Sequence, residues 1–536
     1  MDIPNLDDQR NSSAEPLLAA GVNSQNQGDF VAAEQRYREV LELEPENLDA
    51  LFKLAILYLK RGKKLDAVKN LQHVLRIDPH HAQAYSNLGV ILAQHNRFAQ
   101  AIECFEMSLQ VNPGFLGAKR NLQQAVEDQA RQGGDRFPTT EKFQVSLAAA
   151  DIHFSDGMSL MSEGNFADAE QALQLAIQIN PTHAMSHFGL GLVFHEQGEL
   201  EKSLRSVEHS LLFCPNAAEV RYERARRLLQ LGDFERGWPE FESRWNLVGA
   251  QVPIFSKACW DGSPLVNRTL LLHAEQGIGD VFQFVRYAGW IKEKSQGKII
   301  VACQPSIHKI LATCPGVDEL VALGSEYPPY DVQAPLMSLP CILKTQLTSI
   351  PDCVPYLFPN PERLAYWKHD MDGIQGLKVG LIWQGNPAYR WDHYRSFPLE
   401  HLAPLANVPG IRWFSLQKGA AAEQIRKIAN RWHVIDLDRR LDETAGAFVD
   451  TAAVMKNLDL VITADTSAVH LAGALGVPVW LAQWHVPEWR WMIGKEASPW
   501  YPTMRLFAQS RRGDWTELFQ RIANELTRLV GSSDSH

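Results

Sequence analysis

Positive charge is in short supply in this chain. Its 536 residues carry 52 Lys+Arg against 62 Asp+Glu, so 52 − 62 = −10. That balance argues against non-specific binding to nucleic acid or to anionic lipid, both of which need a positive field. Long apolar runs are missing too, since none comes near the ~20 residues that a spanning helix requires. The start, Met1-Asp2-Ile3-Pro4-Asn5-Leu6-Asp7-Asp8, is acidic and has neither the basic nor the apolar region of a secretion signal. Cysteine is sparse. The seven, at 104, 214, 259, 303, 314, 341 and 353, make no CxxC pair and no His-flanked ligand spacing. They read as reduced core thiols, without a structural metal site, and the expectation is a soluble, cytoplasmic protein. What is present is ordinary: 45% hydrophobic and 21% charged residues exclude wholesale disorder. The length suggests roughly three to four domain-sized units.

A 34-residue period organises the first half. Pro45, Pro79 and Pro113 keep that spacing, and Pro181 and Pro215 resume it in phase. Small residues recur at Gly21, Ala55, Gly89, Gly157, Gly191 and Ala225, and again at Ala33, Ala67, Ala101, Ala169 and Ser203. Large ones recur at Tyr37, Leu71, Phe105, Leu173, Val207 and Phe241. This is the pattern of a helical hairpin. The small residue permits close helix approach, the large one fills the space between hairpins, and proline ends the second helix. Gly28-Asp29-Phe30, Gly164-Asn165-Phe166 and Gly232-Asp233-Phe234 are the expected turns. Over about 14–250 the sequence resembles the tetratricopeptide repeat family, with a degenerate unit at 116–149 where Gly133-Gly134 and Pro138 intervene. The interruption reads either as a hinge or as an inserted loop. The array itself reads either as a spacer or, more usually for such solenoids, as a groove for a protein partner.

After Trp245 the period changes. Buried strand-like runs, 270–273, 298–302, 378–383, 412–416, 460–463 and 478–481, alternate with amphipathic stretches at 281–294, 420–430, 448–458 and 467–475. That alternation predicts parallel sheets with helices on both faces, divided near the proline-rich 351–361. Ligands of such sheets bind beyond the carboxyl ends of the strands, so the loops there hold the candidates. Glu275-Gln276-Gly277-Ile278-Gly279-Asp280 has two glycines of a dinucleotide fingerprint, but Phe282 stands where the third would fall. Asp280 is either a helix cap or a catalytic carboxylate. Asp465-Thr466-Ser467-Ala468-Val469-His470 places Thr466, Ser467 and His470 on one helical face at a helix start, which suits a diphosphate; the other reading is a capped helix with a packing histidine. Gly385, Arg395 and Lys418 follow two successive strands, and the two cations read either as solvated surface charges or as groups that neutralise a leaving diphosphate. Asp436-Leu437-Asp438 reads as a surface loop rather than a metal site. Trp480, Trp484, Trp489, Trp491 and Trp500 read mostly as packing.

With the Gly277–Asp280 loop in one half and the Asp465–His470 segment in the other, 265–510 resembles GT-B glycosyltransferases. The resemblance is to the heptosyltransferase-type family 9 found fused to bacterial tetratricopeptide repeats, and the domain order is similar to that of protein O-GlcNAc transferases. It implies a disordered 1–13, repeat sub-arrays over 14–131 and 143–250 with a linker or degenerate repeat at 132–142, Rossmann-like domains at 255–358 and 359–530, and a disordered tail at 531–536. It implies Asp280 as general base. It also implies that Arg395, Asp465, Thr466, Ser467 and His470 hold a nucleotide diphosphate sugar as co-substrate, with no metal and no other cofactor; Gly277, Gly279, Gly385 and Lys418 are assigned to the same site by their places in loops after strands. Inverting transfer to the hydroxyl of a protein or glycan acceptor follows from it. The asparagine ladder of the O-GlcNAc transferases is mostly missing, because its position holds Ala19, Lys53, Asn87, Asn121, Ser155, Gly189 and Glu223. The rival expectations are a non-catalytic repeat scaffold and a nucleotide-sugar epimerase.

Overall fold

A computed structural model of the chain describes residues 6–533 apart from 79, 95–97, 133–140, 251–254, 276, 390 and 391. It divides into two compact units, 1–224 and 225–536. Most of the expected linker at 132–142 lies outside the described residues, and the choice between hinge and loop goes with it. The first helix begins at Leu6, inside the segment expected to be a disordered terminus, and the last runs to Ser533, inside the expected tail.

The first unit is built of helical hairpins such as Leu48–Lys60 with Lys64–Ile77, Ala82–Ala93 with Phe98–Val111, and Ala184–Glu196 with Leu200–Phe213. Gly28 and Gly164 make the turns from the left-handed region, both at φ 82°, where a side chain would be strained. Asp29 then caps the next helix by accepting from the Ala32 N–H at 3.0 Å. The small and large residues of the period meet inside each hairpin. A Cβ on Gly21 would stand 2.7 Å from Tyr37, one on Gly89 2.6 Å from Phe105, and one on Gly191 2.7 Å from Val207. The large side chain therefore fills the notch left by the small residue of its own hairpin, rather than the space between hairpins as the sequence suggested.

The second unit opens with the closing segment of the repeats, the end of the Ala218–Leu231 helix followed by the Phe234–Phe241 helix. Two parallel sheets follow. The first holds β1 (Thr269–His273), β2 (Lys298–Cys303), β3 (Glu319–Ala322) and β4 (Val332–Pro335) in the order β3-β2-β1-β4. The second holds β5 (Leu377–Ile382), β6 (Ile411–Ser415), β7 (Val434–Asp436), β8 (Leu460–Thr463), β9 (Val479–Gln483) and β10 (Met504–Ala508) in the order β10-β9-β8-β5-β6-β7. Counted from its own first strand, the second sheet has the dinucleotide-fold order 3-2-1-4-5-6, and the first has the same order cut short after four strands. This is the tandem Rossmann-like architecture of GT-B. Central strands are buried on both faces, which is why they read as apolar runs. β3 and β7 are short, half-buried edges.

Candidate functional site

The strand order reverses between β1 and β4 in the first sheet and between β5 and β8 in the second. Crevices at such reversals, beyond the carboxyl ends, are where doubly wound sheets bind ligands. The Glu275–Asp280 loop leaves β1, the Trp383–Ser396 loop leaves β5 and the Ala464–Ser467 loop leaves β8. β5 and β8 end level with each other, Ile382 pairing with Thr463. Three of the four predicted loops thus start at a reversal point.

Two helix starts, one from each sheet, abut there: Ile278–Phe284 and Ser467–Ala474. A Cβ on Gly279 would stand 2.9 Å from His470 Cδ2 and 3.4 Å from Ser467 Cα. Glycine is needed at 279 for that approach, and it brings Asp280 and His470 into one site. His470 is buried, stacks on Trp491 at 5.3 Å and 22°, and its Nδ1 shares a 3.0 Å hydrogen bond with the Tyr501 hydroxyl. Burial, with Arg490, Arg286 and Arg395 nearby, holds its pKa well below the ordinary imidazole range. It is therefore a neutral ring, not a cation. Thr466 caps its helix, Oγ1 accepting from the Ala468 N–H at 3.3 Å.

Asp280 is both cap and ion-pair partner. Oδ2 accepts from the Gly277 N–H at 2.9 Å, and Oδ1 accepts from Arg490 Nη2. Burial pushes its carboxyl up, with Glu488 adding to the effect and Arg490 and Gly277 opposing it. Asp465 Oδ2 accepts from Trp491 Nε1 at 2.8 Å. Burial, then the charge of Glu488, raises Asp465 to about 6 from the usual 3.8. The unfolded chain gives up that proton at lower pH than the folded one, so this carboxyl lowers stability as pH rises from about 4 to 6. Asp465→Asn keeps the acceptor for Trp491 and removes the charge. It is expected to raise stability at pH 7 by about 1–3 kcal/mol, the lower end allowing for partial exposure to water, and to leave stability below pH 4 unchanged. Urea melts of both proteins at the two pH values check this, and equal stability at pH 7 would sink it.

Gly385 and Arg395 lie beside this centre. The Gly385 N–H donates to Ser396 Oγ at 2.8 Å, and a Cβ there would come 2.6 Å from Asp392 Oδ1. Arg395 donates from Nε to Asp392 Oδ1 at 3.0 Å, lies over the Tyr389 ring, and acts electrostatically on both Asp465 and His470. Lys418 is not brought in. It follows β6, one strand away from the reversal point, and its ammonium donates to the Leu441 carbonyl. Asp436 is the last residue of β7 and accepts from the Asp438 N–H at 3.0 Å, while Asp438 accepts from the Gly419 N–H at 3.0 Å. Among the described residues no group of three His, Cys, Asp or Glu is placed to hold a metal ion.

The supporting residues carry no motif. Arg244 grips Glu275, the first residue of the β1 loop, through Nε at 2.8 Å and Nη2 at 3.1 Å, and Glu275 also accepts from the Met337 N–H. Arg286 is fully buried. It donates to the carbonyls of Gln283 and Trp500 and to the Tyr356 hydroxyl, tying the first sheet's domain to the connecting stretch and the second. The loop 487–492 supplies Glu488, Arg490 and Trp491. The density of tryptophan there is the one sequence signal that points to it.

Tetratricopeptide repeat family models match 26–64, 49–81, 82–115 and 154–212. Protein FlbA of Caulobacter vibrioides is 26% identical over 408 residues, covering 70% of this chain and 67% of that protein. Among solved structures, the ADP-heptose LPS heptosyltransferase II of E. coli is 14% identical and aligns with 50% of this chain and 99% of its own, with a TM-score of 0.35. The tetratricopeptide domain of P58(IPK) is 18% identical over 44% of this chain, which spans 60% of that domain's chain, with a TM-score of 0.21. No described helix is long and apolar enough to cross a membrane. Repeat spacing, hairpin packing and family matches agree that the N-terminal region of this chain is built of tetratricopeptide repeats.

Proposed function

We propose that the second unit transfers a sugar from a nucleotide diphosphate sugar to an acceptor hydroxyl with inversion, and that the repeats recruit a protein acceptor or partner. One observation carries the reading: the Gly279–His470 contact sets a carboxylate from one Rossmann-like domain beside the helix start of the other. Asp280 takes the proton as the acceptor oxygen attacks the anomeric carbon, and the bond from that carbon to the phosphate breaks, its electron pair leaving with the phosphate. The leaving group meets the N–H groups at Thr466 and Ser467, with Arg395 close by. His470 serves as a neutral donor: with Tyr501 donating to Nδ1, the ring proton sits on Nε2. No metal is assigned a step, because the nearby carboxylates are engaged by Arg490, Trp491 and backbone N–H groups.

The test is binding of a panel of UDP, GDP, ADP and their common sugars to the full chain, with His470→Ala alongside. One nucleotide is expected to bind selectively, about tenfold or more weaker in the variant, the scale of one lost buried hydrogen bond. No binding across the panel by folded protein would transfer the reading to a non-catalytic repeat scaffold.

A further inference from the structure

The base that this reading needs is held by another residue. Arg490 spans the site with all three guanidinium nitrogens engaged: Nη2 on Asp280, Nη1 on Glu488 at 2.7 Å and Nε on Gln283 Oε1 at 2.7 Å. Its plane lies 4.2 Å over the Trp489 ring. Gln283 is fully buried, and its amide Nε2 has no hydrogen-bond partner among the described residues. The bonding around Arg490 is thus one group short, and that missing group is an acceptor.

The charges point the same way. Asp280, Glu488 and Asp465 surround one guanidinium, and the next cation acting on Asp465, Arg395, is itself paired with Asp392. A carboxylate held by a guanidinium is a poor base, because a proton arriving on it must displace a charge-assisted hydrogen bond. A guanidinium spent on two carboxylates has little left for a phosphate. One ion pair therefore blocks both tasks.

We propose that Arg490 is a donor-operated latch on Asp280: a phosphate entering at the start of the Ser467–Ala474 helix draws the guanidinium away, and only then is the carboxylate free to take the acceptor's proton. The proposal rests on the transferase reading and adds an order of events to it, donor before acceptor. Arg490 is a positioning residue for the base in the free protein. An acceptor that arrives first meets an aspartate with both oxygens occupied.

Two signatures separate a latch from an ion pair that merely stabilises the fold. Asp280→Asn releases Arg490 in advance, so the variant binds nucleotide more tightly although it has lost the base. Glu488→Gln frees the same guanidinium from its other side and acts in the same direction. The experiment is calorimetric titration of the full chain with UDP, GDP, ADP and CDP at pH 7. Wild type is expected to bind one of these. Asp280→Asn and Glu488→Gln are expected to bind it about three- to tenfold tighter, the scale of one partly buried charge pair. Arg490→Lys, which keeps the charge but loses the fork, is expected to bind it more weakly. Equal or weaker binding by both acidic variants, each shown folded by a cooperative melt, overturns the latch while wild-type binding leaves the transferase reading standing. Absence of binding by wild type overturns both.

Discussion

Replacing Asp280 with asparagine is expected to slow sugar transfer by about 10²–10⁴-fold, the range that a positioned general base supplies. The substitution also removes the ion pair with Arg490, but it is expected to leave the fold intact. Asparagine Oδ1 can still accept from the Gly277 N–H, so the cap of the Ile278–Phe284 helix survives. Arg490 retains Glu488 and Gln283, so no buried cation is stranded. A fall in rate without a fall in melting temperature therefore reports chemistry rather than folding. The pH dependence adds an independent check. Burial raises the Asp280 carboxyl, and a base works only when deprotonated, so wild-type transfer declines as pH falls through that raised pKa. The residual rate of Asp280→Asn lacks this limb. Nucleotide release from the donor identified by the binding panel, followed across pH, measures both. A variant that kept the wild-type rate and profile would remove Asp280 from the mechanism.

Much of this arrangement is legible in the amino-acid sequence, for reasons that also explain what is not. Gly89 and Phe105 recur in their places because a hairpin needs a notch and a side chain to fill it, and such a steric rule repeats every 34 residues. Strands buried on both faces must be apolar throughout, so β1, β2, β5 and β8 announce themselves. β3 and β7, half-buried on the edges and only four and three residues long, pass unseen. Asp280 and His470 can be found because they sit a few residues beyond readable strands. Lys418 shows how that rule misleads. It too follows a strand, but one that lies beside the reversal point rather than at it, and strand order is not written locally in the sequence. Arg490 and Gln283 are set by contacts between residues some two hundred positions apart, and no spacing encodes them; Glu488 joins them through Arg490, two residues on.

Trp238 touches none of the reacting groups, yet Trp238→Ala is expected to destabilise the second unit by about 3–5 kcal/mol, the usual cost of truncating a buried tryptophan, and to weaken nucleotide binding with it. Its ring is 2% exposed and meets Trp489 edge-on at 5.5 Å, with Trp500, Phe234 and Phe241 around it. Trp489 is in turn the surface on which the Arg490 guanidinium lies. The same segment holds the rest of that loop: Gln230 Nε2 donates to the Pro487 carbonyl at 2.6 Å, and a Cβ on Gly232 would come 2.8 Å from Met492. A few residues on, Arg244 holds Glu275 at the head of the other loop. The closing segment of the repeats thus fixes both the strand-end loop that bears Asp280 and the loop that bears Arg490. A spacer has no reason to do this, but a wall of the site does. Trp238→Phe is the control. Trp238 Nε1 has no hydrogen-bond partner among the described residues, so phenylalanine loses ring volume and no hydrogen bond, and its cost should be a fraction of alanine's. Chemical denaturation and nucleotide titration of the three proteins decide the matter. Alanine that lowers stability but leaves nucleotide affinity at the wild-type value would mean that the segment supports the fold alone. A matched fall in both, partly restored in Trp238→Phe, would make the last repeat part of the site's construction.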